Sequence, residues 1–198
     1  MRCLVLLLVL LIPSLAVADP AGDKGLANVD SALARTTVYA EYQITSQEAG
    51  KPQRTLEARV WRKQAKGLVE FTAPADMKGT KLLALSAAEL YTFLPAFGKV
   101  RRTSPAQLFG LTTFPDDVLG NGFAQRYTAT QKGNQLTATL RSGASGCAKL
   151  ELVVDQNWVP STLTCTAANG AWTRLRVNRL KTGEALSDDL FSKRSLEK

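Results

Sequence analysis

The sequence contains no histidine. That removes the side chain most often used as a general base at neutral pH, and the commonest nitrogen ligand for a metal. Cysteine is scarce as well, with three in 198 residues. Cys3 lies inside an apolar N-terminal run, so only Cys147 and Cys165 are left to a folded domain. There is no C-x-x-C pair, no G-x-S-x-G elbow and no phosphate-binding glycine loop. Thiol redox chemistry of that type, the hydrolase nucleophile turn and the common nucleotide cradle are therefore missing. The carboxylate pairs Asp116-Asp117 and Asp188-Asp189 are adjacent residues. On a helix such neighbours do not face a common point, and both pairs suit helix starts. The chain reads as a non-enzyme with no cofactor and no metal. After the N-terminal run no second apolar stretch is long enough to span a bilayer, and there is neither an internal repeat nor a low-complexity segment.

The first eighteen residues have the layout of a secretory signal. Arg2 supplies the positive start, and Leu4 to Leu15 is apolar apart from Pro13 and Ser14. Ala16-Val17-Ala18 places small residues at both recognition positions before Asp19, so cleavage is expected after Ala18. The run is too short for the roughly 20 apolar residues of a spanning helix. A lipoprotein would carry cysteine directly after the cut, where this chain has Asp19. Residues 19–198 are then read as one domain, long enough for a sizeable core. The whole sequence is basic, with 25 Lys and Arg against 17 Asp and Glu. For an exported chain the partners this implies are anionic lipid head groups or an acidic protein surface, not nucleic acid. Solubility alone accounts for the charge equally well.

Cys147 and Cys165 are expected to form a disulfide in an oxidising compartment. Ala148 to Val154 and Val159 to Thr166 read as strands around a turn at Asp155-Gln156-Asn157-Trp158. A hairpin centred on Gln156 sets the two cysteines opposite each other. No redox motif surrounds them, so the bridge is read as structural.

Elsewhere the apolar pattern begins at helical spacing and then switches to period two. Asp19 to Lys24 reads as a flexible lead, after which Leu26, Val29 and Leu33 mark a short amphipathic helix ending near Arg35. Alternating strands follow at 38–44, 56–61, 68–72, 81–85, 90–94 and 99–103, and resume at 125–131, 136–141 and 172–181. Between the two series, Ser104 to Gly122 holds Pro105, Gly110, Pro115, Gly120 and Gly122, with a helical turn expected at Pro115 to Leu119. Asp188 to Phe191 has the acidic start of another. Many short strands with turns between them predict an antiparallel meander that closes into a barrel or half-barrel. The few helical pieces are its natural cover.

Two strands carry apolar residues on both faces: Leu82 and Ala84 against Leu83 and Leu85, then Leu90 and Leu94 against Tyr91 and Phe93. One reading is the centre of the core. The other is a concave apolar surface flapped by Ser104 to Gly122, a loop length that is often functional. On the second reading the candidate ligand-binding residues are Tyr42, Val60, Phe71, Leu83, Leu85, Tyr91, Phe93, Phe97, Leu108, Phe109 and Phe114. Lys99, Arg101 and Arg102 are candidates for contact with a head group or a partner; as edge-strand cations they would also block sheet-to-sheet association.

Gly79-Thr80, Phe93-Leu94-Pro95, Gly98-Lys99-Val100-Arg101-Arg102, Phe109-Gly110 leading to Asp116-Asp117, and Asp188-Asp189-Leu190-Phe191 together resemble the outer-membrane lipoprotein-sorting (LolA-like) family of the lipoprotein localisation factor superfamily. The resemblance covers roughly residues 58–119 and, loosely, the tail. It departs at Thr112, where many relatives are acidic, and in the disulfide hairpin. It implies a mainly β (α+β) fold: an antiparallel, strongly curved open half-barrel with a few short helices over its concave face. It also implies a periplasmic, monomeric, non-enzymatic carrier of lipid or lipoprotein acyl chains toward the outer membrane, working with an inner- or outer-membrane transport partner. The alternative is a regulatory module on the same scaffold that binds an envelope membrane protein, such as a stress regulator or an exporter.

Overall fold

The fold is taken from a computed structural model that describes residues 19–35, 37–48, 50–86, 89–103, 122–144 and 146–197. The expected turn at Pro115 to Leu119 and the candidates Leu108, Phe109 and Phe114 lie outside the described residues.

Helix α1 (Pro20–Arg35) starts earlier than the apolar spacing indicates: residues 20–24, expected as a flexible lead, form its first turn and more, because the caps there are polar and carry no apolar signal. Pro20 occupies the first helical position, where its missing N–H costs nothing. Asp19 caps the first turn, its Oδ1 accepting the Ala21 N–H at 3.0 Å. Leu26, Val29 and Leu33 are all buried, as their spacing predicts. Eleven strands follow: β1 (Val38–Gln47), β2 (Arg54–Lys63), β3 (Lys66–Ala73), β4 (Lys81–Ser86), β5 (Glu89–Leu94), β6 (Lys99–Thr103), β7 (Tyr127–Lys132), β8 (Gln135–Leu140), β9 (Lys149–Val154), β10 (Pro160–Thr166) and β11 (Trp172–Thr182). A one-turn helix, α2 (Phe123–Arg126), leads into β7, and another, α3 (Lys193–Leu196), ends the chain.

The strands form one antiparallel sheet in the order β6-β5-β4-β3-β2-β1-β11-β10-β9-β8-β7. Two meanders, β1–β6 and β7–β11, are joined where the first strand pairs with the last, from Val38 opposite Thr182 to Gln47 opposite Trp172. The first and last strands thus meet in the middle of the sheet. Its outer strands, β6 and β7, do not pair, so the sheet stays an open half-barrel.

One face is concave. Leu56 and Val60 of β2, Val69 and Phe71 of β3, Leu82 of β4, Leu136 of β8, Leu152 of β9 and Leu163 of β10 share a single buried cluster with Leu26, Val29 and Leu33 of α1. Strands so distant in the sheet order reach one helix only if the sheet curves around it. The opposite face of β3–β5 is buried too. Leu68, Leu83 and Tyr91 pack beneath Phe191 and Leu196, with Trp61, Leu85, Phe93, Val100, Leu186 and Leu190 around them. The C-terminal segment is therefore a strap across the outer surface. Lys63 and Lys66 bracket the Asp188 carboxylate at 3.3 and 3.5 Å, and Lys63 Nζ donates to the Leu186 carbonyl. This explains the two-faced strands of the sequence: β4 and β5 are covered on one side by the α1 cluster and on the other by the tail.

The disulfide between Cys147 and Cys165 forms, but not through the expected register. Cys165 lies opposite Leu150, and Cys147 precedes β9. The turn accounts for the offset: the Asp155 N–H bonds to the Val159 carbonyl, Trp158 adopts a positive φ of 64°, and a bulge follows between Pro160 and Thr162. The hairpin is thereby recentred. Cys147 is held instead by the buried Tyr127 hydroxyl, which accepts its N–H at 2.9 Å.

Candidate functional site

The concave face holds a narrow apolar crevice of about 550 Å³, counting the part open to solvent. The enclosed space within it is only about 40 Å³, well below the ~300 Å³ of a small-ligand pocket, so the crevice is nearly closed. Its floor is the centre of the sheet: Val38 and Tyr42 from β1, Val60 and Arg62 from β2, Leu175 from β11, and Pro160 to Leu163 from β10. Leu33 of α1 and Phe123 of α2 lean in from above. The chemistry of the wall follows from strand alternation. Leu56, Ala58, Val60 and Arg62 share one face of β2, so the stripe that is apolar for three positions ends in a cation.

Arg62 is the single charged side chain of this wall and is only 4% exposed. Burial pulls its pKa below the ordinary arginine value, and the nearby Tyr42 and Asp30 oppose that pull. Its Nε donates to the Gln64 carbonyl at 3.3 Å. Burial pushes the Tyr42 phenol up to about 12, partly offset by the Arg62 charge. Tyr42 is thus a neutral hydroxyl at any physiological pH. The arrangement offers a greasy slot with one fixed positive charge and one phenol at its edge.

The candidate residues divide between the two faces of the sheet. Tyr42 and Val60 line the crevice, and Phe71 lies fully buried in the same concave cluster. Leu83, Leu85, Tyr91 and Phe93 face the other way, beneath the C-terminal strap. Phe97 is in neither group: it is 60% exposed on the short 3-10 turn Pro95–Phe97 between β5 and β6. The β5–β6 register pairs Leu94 with Lys99, Thr92 with Arg101 and Tyr91 with Arg102. Lys99 and Arg101 therefore lie on the concave side of the edge strand, and Arg102 on the strap side. Arg62, Phe123, Leu163 and Leu175 were not singled out by sequence reasoning, and Leu33 only as a buried position of the first helix. For Arg62 the signal was there: a cation at the in-phase position of an otherwise apolar stripe. Among the described residues no group of three His, Cys, Asp or Glu side chains is placed to hold a metal ion.

Helix α1 is fixed over the crevice by its carboxylates. Asp30 accepts the N–H groups of Gly122, Phe123 and Ala124 at 3.0, 2.9 and 2.9 Å. Asp23 accepts that of Ala129, and Asp19 that of Gln131. These last two are amides of the edge strand β7. Gly22 lets the helix come this close, since a Cβ there would overlap the Ala129 carbonyl.

A family model described only as "-like: Uncharacterized protein" matches residues 63–153. No curated protein matches the chain. Among solved structures, a LolA superfamily protein from Nitrosomonas europaea is 15% identical with a TM-score of 0.55, over 88% of this chain and 98% of its own. A domain described as an outer-membrane lipoprotein-sorting protein, from Vibrio parahaemolyticus, is 19% identical with a TM-score of 0.53, over 89% and 100%. The MucA/MucB complex of Pseudomonas aeruginosa is 14% identical with a TM-score of 0.53, over 89% of this chain and 62% of that one. The chain has the LolA-like fold, an open antiparallel half-barrel with a few short helices.

Proposed function

We propose that this chain is a periplasmic, non-enzymatic carrier. It is exported with cleavage after Ala18 and shelters acyl chains of lipids or lipoproteins beneath α1 for transfer toward the outer membrane. The observation that carries this reading is the apolar crevice on the concave face, closed by Leu33 and Phe123 and containing one buried cation, Arg62. Apolar walls take up methylenes at about 0.8 kcal/mol each, so a chain of ordinary length binds without any polar anchor. Arg62 then selects for an anionic group at the head of that chain. The crevice is narrow, so loading moves α1 and α2 off the sheet. The shared fold with a lipoprotein-sorting domain supports the same class of cargo.

A second reading is favoured by the likeness to the MucA/MucB complex: a periplasmic module that binds an envelope membrane protein and senses lipid without moving it. Native mass spectrometry of the protein recovered without detergent, followed by lipid extraction, separates the two. Bound phospholipid or acylated peptide supports the carrier. A clean apo mass, persisting when lipid is offered in excess, rejects the carrier and leaves the protein-binding module.

A further inference from the structure

The β5–β6 turn has no role in the crevice. Leu94-Pro95-Ala96-Phe97-Gly98 is a run of five residues without one polar side chain, and Pro95, Ala96 and Phe97 are all exposed. Phe97 is the one large hydrophobic side chain exposed among the described residues. Gly98, with φ of 57°, ends the turn, so the ring is presented on a tight, preformed knob. The neighbouring β3–β4 turn packs against it, with Gly79 beside the Pro95 ring.

The surroundings of the knob are positive. Arg101 lies over the Phe97 ring at 5.4 Å and Lys81 over the Phe93 ring at 5.9 Å. Lys78 and Lys99 are exposed close by. Of the acids near this corner, Asp76 is held by Arg54 at 3.5 Å, and Glu70 stands opposite Lys81 in the β3–β4 register without an ion pair to it. Lys78, Lys81, Lys99 and Arg101 have no carboxylate within ion-pair distance among the described residues. An apolar tip backed by four unneutralised cations is complementary to a surface with an apolar interior and an anionic skin.

We propose that this knob docks the protein on an anionic phospholipid bilayer, with Phe97 entering the interface and Lys78, Lys81, Lys99 and Arg101 lying against the phosphates. The shape favours a bilayer over an acidic protein. One exposed ring on a short turn falls far short of the roughly 800 Å² per partner of a stable protein interface, whereas apolar insertion beside cations is how surface segments bind anionic lipid. The inference goes beyond the carrier reading and does not depend on it. The knob lies toward the other end of β5 from the level of Arg62: Arg62 is in register with Gly67, Ala84 and Leu90, whereas Leu94 and Lys99 flank the tip. Surface binding and cargo retention can therefore be lost separately.

The test is cosedimentation of the exported protein with phosphatidylcholine vesicles, with and without phosphatidylglycerol. The expected result is binding to the anionic vesicles alone, weakening as salt rises. Lys99→Gln is expected to lower the partition coefficient about fivefold, the factor corresponding to ~1 kcal/mol per surface cation. Phe97→Ser is expected to lower it about tenfold or more, from the loss of an inserted ring. Both side chains are exposed, so an unchanged thermal midpoint verifies the fold of each variant. Equal binding to neutral vesicles, no binding to either kind, or binding indifferent to Phe97 overturns the proposal. Lipid retained in the crevice is extracted from the same preparations, which keeps a failure of docking distinct from a failure of the carrier reading.

Discussion

The Asp30 carboxylate on α1 lies 2.9 Å from the backbone nitrogen of Phe123, the first residue of α2. The same side chain accepts from Gly122 and Ala124, so one residue satisfies the free amides of a helix start far away in sequence. Its negative charge also favours the Arg62 cation, opposing the fall that burial causes in the Arg62 pKa. Asp30→Ala should cost about 2 kcal/mol, in line with losing a charged cap, and should free Phe123 from the crevice. Asp30→Asn should recover part of that loss. Chemical denaturation of the three proteins gives the ranking, and equal stability of all three would contradict it.

Gly22 is required by proximity. In an isolated helix, alanine there would be favourable by nearly 1 kcal/mol. In this structure the added methyl meets the Ala129 backbone, which cannot rotate away. Gly22→Ala should destabilise by about 2 kcal/mol and weaken the Asp23–Ala129 and Asp19–Gln131 contacts. Amide hydrogen exchange at Ala129 and Gln131 should rise with it. A stabilised Gly22→Ala protein would show that α1 is not seated as described.

The two faces of the sheet separate cargo from scaffold. Val60→Phe fills the crevice at a cost of about 1–3 kcal/mol and should sharply reduce lipid retention. Leu85→Asp loosens the strap face by about 2 kcal/mol and should leave retention unchanged while the protein stays folded. Lipid extraction from each purified variant is the measurement. The reverse pattern would move the ligand to the strap side.

Tyr42 links stability to alkaline pH. The phenol is raised from 10.0 to about 12, so the folded protein holds this proton more tightly than the unfolded chain. The contribution is intact below pH ~10 and is lost as pH rises toward 12, approaching about 2–3 kcal/mol at the limit. Tyr42→Phe should flatten this alkaline decline and remove one late-titrating component of phenolate absorbance. An identical pH profile in the variant would refute the burial of that hydroxyl.

Most of the fold is legible in the sequence because its strands alternate cleanly. The periodicity of Leu56, Ala58 and Val60 marks β2 and its buried face, and the helical spacing of Leu26, Val29 and Leu33 marks α1. The pairing of β1 with β11 has no local signal, since it joins residues more than a hundred positions apart. The two-faced strands β4 and β5 were ambiguous for a physical reason. An apolar residue on either face of a doubly covered strand looks the same, whether a helix, a tail or a ligand covers it. Leu83 and Tyr91 therefore read as cavity residues, although they lie beneath Phe191 and Leu196. The disulfide was visible as a pair of cysteines, but its register depended on the turn at Trp158, whose positive φ no composition rule announces.

The two carboxylates that cap Ala129 and Gln131 have a consequence for how copies of this chain can associate. Sheets polymerise when each new edge offers another. Here the amides of one flank are already occupied within the molecule, and α1 lies along it. Whatever strand joins at β6 finds no matching flank from which to continue, so edge-to-edge growth ends at a pair and cannot run on into a ribbon.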